Sequence, residues 1–205
     1  MTAPRPTPQV AEHGADDAAS EPDAARSAAW PGQIRKPVCL AVDYGGTLTD
    51  PLTPLDPRLA MRPVCPRAAK TLRQLHAMDI RLLLTSNTKT GQRRGPALEA
   101  AGVLHLFAEV LESDLLGCAK PEPSFYAKVT AAARCPREVI MSVGNNLLKD
   151  VLGPLDFGMR AALIGQGALS AEDKTLLPSG VVVLSHLSDL PALLRDRPPR
   201  KETGR

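Results

Sequence analysis

The chain has 205 residues, 43% of them apolar, which suits one domain with a buried core. Aromatic residues make up only 3%, leaving few rings on which bases could stack, so nucleic-acid binding is not indicated. The net charge of +3 favours anionic small molecules only weakly, and no apolar run reaches membrane-spanning length.

Residues 1–35 are rich in Ala, Pro and charge and carry no apolar periodicity, so a disordered arm is expected there. The arm has no apolar central stretch of the secretory kind, and it holds Glu12, Asp16, Asp17, Glu21 and Asp23, which fits poorly with an organellar leader. The expected location is the cytoplasm. Residues 36–195 form the expected domain, and 196–205 a disordered basic tail.

Val38–Val42 is a continuous apolar run of strand length, ended by Asp43 and the glycines Gly45 and Gly46. Pro66–Met78 places Ala69, Leu72 and Leu75 at helical spacing, and Ile80–Leu84 reads as a second strand. Pro96–Ala101 begins a helix that Gly102 can stop, and a short strand is expected at Glu109–Leu111. Ser124–Ala133 is a predicted helix and Val139–Val143 a strand. Leu147–Phe157 is predicted helical, shortened or kinked at Pro154. Ala161–Ile164 and Val181–Leu184 are further strands, and Ser188 is the expected cap of a last helix through Leu194.

Strands alternating with helices at these spacings predict a mostly parallel sheet covered on both faces, a Rossmann-like three-layer α/β/α sandwich. Such sheets carry their chemistry at the carboxyl ends of the strands. The cysteines Cys39, Cys65, Cys118 and Cys135 show no metal-ligand spacing and read as reduced thiols.

Four polar segments fall at those ends: Asp43-Tyr44-Gly45-Gly46-Thr47-Leu48-Thr49-Asp50, Thr85-Ser86-Asn87, Lys120-Pro121-Glu122-Pro123, and Gly144-Asn145-Asn146 running on to Lys149-Asp150. A carboxylate can attack an electrophile and form a covalent intermediate, while a hydroxyl, a lysine and backbone N–H groups hold the oxygens of the group transferred. Taken singly, each has a plainer reading: Asp43 a loop carboxylate, Thr85 and Ser86 turn caps, Lys120 a surface lysine, Asn145 and Asn146 loop-satisfying amides. Arg93 and Arg94 stand beside the Ser86 loop, where they either meet an anionic substrate or begin a solvated helix. His76 reads as structural.

In this order the four segments resemble the haloacid-dehalogenase-like (HAD) hydrolase superfamily, whose first motif usually reads D-x-D-G-T-L. The other motifs are a strand ending in Ser or Thr, a lysine in K-P-x-P, and a G-D-x-x-x-x-D run. The resemblance spans about residues 38–194. It implies Asp43 as nucleophile, Ser86, with Thr85 as second choice, holding the transferred group, and Lys120 stabilising charge. Gly46, Thr47 and Asn87 would line the substrate site. Magnesium would be bound by Asp43, the main chain of Gly45, Asn145 and Asp150, with Asp150 near Lys120 or the metal.

Two of the superfamily's carboxylates are replaced, by Gly45 at the usual general acid and by Asn145 at a usual metal ligand. Loss of proton donation to the leaving oxygen costs about 10²- to 10⁴-fold in rate, and an Asn oxygen ligates magnesium only as a neutral dipole. Three readings follow: a phosphatase or phosphotransferase of reduced or specialised activity, a catalytically inactive binding or scaffold domain, and a metal-independent dehalogenase-type hydrolase, since halide departs without a proton. There is little room for a cap domain, so an open site is expected. It would accept a phosphorylated small molecule or a carrier- or macromolecule-bound substrate, or be covered by a second copy or a protein partner.

Overall fold

A computed structural model of the chain describes residues 37–165, 177–178 and 181–195. The arm expected at 1–35 and the tail at 196–205 lie outside the described residues. In chain order the elements are β1 (Cys39–Val42), α1 (Pro66–His76), β2 (Arg81–Ser86), α2 (Gly95–Ala100), β3 (Phe107–Glu112), α3 (Ser113–Leu116), α4 (Pro123–Ala133), β4 (Ile140–Gly144), α5 (Gly153–Asp156), β5 (Arg160–Ile164), β6 (Val182–Leu184) and α6 (Leu190–Arg195).

The six strands form one sheet in the order β3-β2-β1-β4-β5-β6, every neighbouring pair parallel. Because strand side chains alternate between faces, β1 feeds two cores. Leu40 and Val42 pack with Leu72 and Leu75 of α1 and Leu98 of α2. Cys39 and Ala41 pack with Phe125 and Val129 of α4. This is the expected three-layer sandwich, and burial on both faces explains why β1 is apolar throughout rather than alternating.

Differences from the sequence-based expectation have local causes. Strand β2 continues past Leu84 because Thr85 and Ser86 pair with Leu111 and Glu112 of β3, and β3 is correspondingly longer than Glu109–Leu111. Pro154 has no N–H to offer the carbonyl four residues back, and the stretch before it, Leu147–Leu152, widens into a π-helical turn with Gly153 N–H donating to Leu148 O. Ser188 is not the final cap: it lies inside a 3₁₀ turn, Leu187–Asp189, whose reciprocal cap is formed by His186 and Asp189. Gly102 does close α2, with φ +62°.

Between β1 and α1 the chain forms only a short flap, pinned by an isolated antiparallel bridge between Asp56 and Met61. No cap domain is present among the described residues. No helix of the described residues is long and apolar enough to cross a membrane.

Candidate active site

The chain leaves β1 toward β2 on one side, and β4 adds on the other, so the carboxyl end of β1 is where the strand order reverses. Crossovers diverge at such a point and open a crevice. Asp43 is the first residue beyond β1, and its N–H donates to Val143 O at 2.9 Å, which fixes it beside the end of β4.

Lys120 reaches the same point from the loop before α4. Its Nζ donates to Asp43 Oδ1 at 2.8 Å, to Asp150 Oδ1 at 2.7 Å and to the Thr85 carbonyl at 3.1 Å. The Lys120 and Asp150 side chains are almost fully buried, whereas Asp43 keeps 13% exposure. The second Asp150 oxygen accepts the Asn146 N–H at 3.0 Å. A Cβ on Gly144 would overlap the Asp150 carboxylate, so this position requires glycine for Asp150 to approach.

These contacts set the charge states. Burial pushes the Asp43 carboxyl above its ordinary value, and the nearby Asp150 charge adds to this, against the opposing pull of Lys120 and the Tyr44 N–H. Burial pulls Lys120 down, but Asp43 and Asp150 together outweigh it and hold the ammonium above the usual lysine range. The cluster is two carboxylates around one ammonium, and of the three side chains only Asp43 keeps appreciable exposure.

The remaining predicted residues are distributed as follows. Thr85 offers Lys120 its carbonyl rather than its hydroxyl. Asn87 uses its side chain on the Lys120 backbone, accepting from the N–H at 3.0 Å and donating to the carbonyl at 2.9 Å, and so positions the lysine. Gly46 has φ +74°, donates to Thr49 Oγ1 and is covered by the Asn145 amide, which a Cβ there would strike. The Thr47 hydroxyl is buried without a hydrogen-bond partner among the described residues. It borders a separate cavity of about 630 Å³ with Asp50 and Leu187.

Arg94 acquires a place that the sequence left between two readings. Its Nε donates to Ser86 Oγ at 3.0 Å and its Nη2 to the Asn87 carbonyl at 3.3 Å, and its guanidinium lies 4.5 Å above the Tyr44 ring. Tyr44 in turn donates to Arg62 O at 2.7 Å, which ties the flap to the site. Arg93, the adjacent arginine, points away and pairs with Asp114 at 2.7 Å and Glu112 at 3.7 Å. A cleft of about 500 Å³ opens over Gly45, Gly46 and Asn145, with Arg62, Lys89 and Arg94 around it and no carboxylate in its lining.

The oxygens that the resemblance to the superfamily would assign to a cation are an Asp43 carboxylate oxygen, the Gly45 carbonyl and the Asn145 amide. Asp150 is committed to Lys120 and Asn146. Among the described residues no group of three or more His, Cys, Asp or Glu side chains could hold a metal. Such a set would give a hard cation one anionic protein ligand and leave most of its shell to water.

With this geometry established, the chain belongs to the haloacid dehalogenase-like hydrolases, whose family model matches residues 53–158. The matched segment holds Ser86, Lys120, Asn145 and Asp150 but begins after Asp43, Gly45 and Gly46, where the first motif is altered. The chain is 31% identical over 131 residues to glyceraldehyde 3-phosphate phosphatase from Methanothermobacter thermautotrophicus, covering 63% of this chain and 58% of that protein. It is 32% identical over 116 residues to phosphoserine phosphatase from Thermus thermophilus, covering 57% and 46%. The chain thus spans about half the length of these curated relatives. The fold is also that of L-2-haloacid dehalogenase from Xanthobacter autotrophicus, at TM-score 0.60 and 18% identity, covering 78% of this chain and 98% of that one.

Proposed function

We propose that the protein is a phosphatase or phosphotransferase that works through an aspartyl-phosphate on Asp43, with substrates whose leaving group departs without protonation. The observation that carries the reading is the Asp43–Lys120 pair, 2.8 Å apart, next in the chain to Tyr44, Gly45 and Gly46, which line a cleft whose charged lining is entirely basic. The two relatives that act on phosphate esters by their names agree with it.

In the first step an Asp43 oxygen attacks phosphorus, the phosphorus–oxygen bond to the leaving group breaks, and the electron pair goes with that oxygen. Lys120 stays protonated, holds Asp43 in line and offsets charge on the phosphoryl oxygens. The Ser86 hydroxyl supplies a hydrogen bond to one of them. With Gly45 in place of an acid, the leaving oxygen keeps its negative charge, so acyl phosphates, phosphoanhydrides and aryl phosphates suit the site better than alkyl esters. In the second step water attacks the phosphorus of the aspartyl-phosphate, the bond from phosphorus to the Asp43 oxygen breaks with its electron pair returning to the carboxylate, and the water's proton leaves on the inorganic phosphate or to solvent. Magnesium, held by Asp43, the Gly45 carbonyl and Asn145, would neutralise charge on the phosphoryl oxygens.

The test is hydrolysis of a graded series of aryl and alkyl phosphates, with and without magnesium, by the native chain and by Asp43→Asn. The reading predicts turnover that rises steeply as the leaving group becomes more acidic and that vanishes in the variant. Absence of turnover on every member would favour the binding or scaffold reading. Chloride release from a 2-haloacid would favour the dehalogenase reading.

A further inference from the structure

Arg94 lines the cleft with its guanidinium on neutral hydrogen-bond partners. The Lys120 ammonium already faces Asp43 at 2.8 Å, and Arg94 is a further cation, on the lining of the neighbouring cleft. Every side-chain partner of Arg94 is neutral: Ser86 Oγ, the Asn87 carbonyl, Met61 Sδ at 3.8 Å and the Tyr44 ring.

Asp43 and Glu112 attract Arg94 only through space, and each is hydrogen-bonded to another group, Asp43 to Lys120. Asp114 pairs with Arg93 at 2.7 Å. Glu112, itself buried, faces Arg93 at 3.7 Å and accepts the backbone N–H of Arg94 rather than its guanidinium. No carboxylate lies within ion-pair distance of the Arg94 side chain among the described residues. Placing a cation in a half-buried position with neutral partners is costly unless an anion completes it. Arg62 and Lys89 extend the same sign of charge outward along the cleft.

We infer that the substrate carries a second anionic group, a carboxylate or a further phosphate, on its leaving portion, and that Arg94 is the residue that selects it. This rests on the phosphatase reading for which group is transferred. Tyr44 serves the selection twice: its ring supports the guanidinium from below, and its hydroxyl holds the Arg62 backbone at the cleft wall. A bidentate guanidinium contact on the leaving portion also orients the bond to be broken toward Asp43, which partly offsets the missing acid.

Calorimetric titration tests this without relying on turnover. Phosphonoacetate and 3-phosphonopropionate pair a phosphonate with a carboxylate, and ethylphosphonate lacks the carboxylate. At least one of the first two is expected to bind the native protein about tenfold tighter than ethylphosphonate, or better. Arg94→Gln should weaken the two-anion ligands by about fivefold or more beyond any loss it causes for ethylphosphonate, so that most of the ratio disappears. Lys89→Gln, an exposed change that leaves the fold intact, should reduce the ratio by about two- to threefold.

Equal binding of all three ligands, no binding of any, or a loss in Arg94→Gln that is the same for one and two anions would overturn the inference. Nitrophenyl phosphate hydrolysis measured alongside separates the two levels. Hydrolysis without a binding ratio removes the second-anion site and keeps the phosphatase. A binding ratio without hydrolysis does the reverse.

Discussion

Lys120 Nζ and Asp150 Oδ1 are 2.7 Å apart with both side chains nearly inaccessible, so the lysine that faces Asp43 is anchored from behind by a second, fully buried carboxylate. Removing the cation leaves two carboxylates without their partner, one of them fully buried. Lys120→Met is therefore expected to lower unfolding free energy by about 3–5 kcal/mol, and Asp150→Asn by less, because an amide can still accept from the ammonium. Urea unfolding of the two variants checks the order. Equal, small losses would show that the pair is not a buried ionic anchor.

Gly45 offers room that its usual counterpart would fill. A Cβ built there meets nothing within 4 Å. Gly45→Asp combined with Asn145→Asp is expected to raise alkyl phosphate hydrolysis by about 10²-fold or more, as proton donation to the leaving oxygen returns. The gain should be small for aryl phosphates, whose leaving groups need little help. A uniform gain across leaving groups would point to better metal binding alone.

The pH profile follows from the Asp43 cluster. The proposed attack requires Asp43 ionised, and burial holds its carboxyl above the ordinary aspartate value, so kcat/KM should fall on the acid side at a pH higher than an exposed aspartate would give. Lys120 runs the other way in stability. Its folded value is raised, so the ion-pair contribution is fully present below the ordinary lysine range and is lost only as pH rises through the raised value. Rate and unfolding measurements across pH should show an acid limb in the first and an alkaline loss in the second.

Much of this arrangement was legible in the sequence because it is written locally. Apolar runs of strand length ending in Asp43, Ser86 and Gly144 mark strand ends, and a parallel sheet brings such ends together whatever the details of packing. The long-range contacts were not legible. Nothing in Arg93-Arg94 says which side chain faces the site, because the choice is made by Glu112 and Asp114, which β3 and α3 bring back from about twenty residues further on. Asn87 likewise looks like a substrate ligand until the Lys120 backbone is seen to occupy it. The π-helical turn before Pro154 and the His186–Asp189 cap depend on which backbone partner is missing or present, which composition does not record.

A separate prediction concerns stability away from the site. Arg134 ends α4 in the left-handed conformation, at φ 54°, with its side chain exposed. Relief of that conformational cost makes Arg134→Gly stabilising by about 0.5–1 kcal/mol. Thermal unfolding should show a modestly higher midpoint with unchanged activity.

The central claim is that Asp43 becomes phosphorylated. Rapid acid quench during turnover of an aryl or acyl phosphate, followed by mass analysis of the peptide containing Asp43, tests it directly. The account predicts the added mass of one phosphoryl group on Asp43, lost on treatment with base and absent in Asp43→Asn. Turnover with an unmodified Asp43 peptide under quench conditions that preserve acyl phosphates, or modification elsewhere, would contradict it.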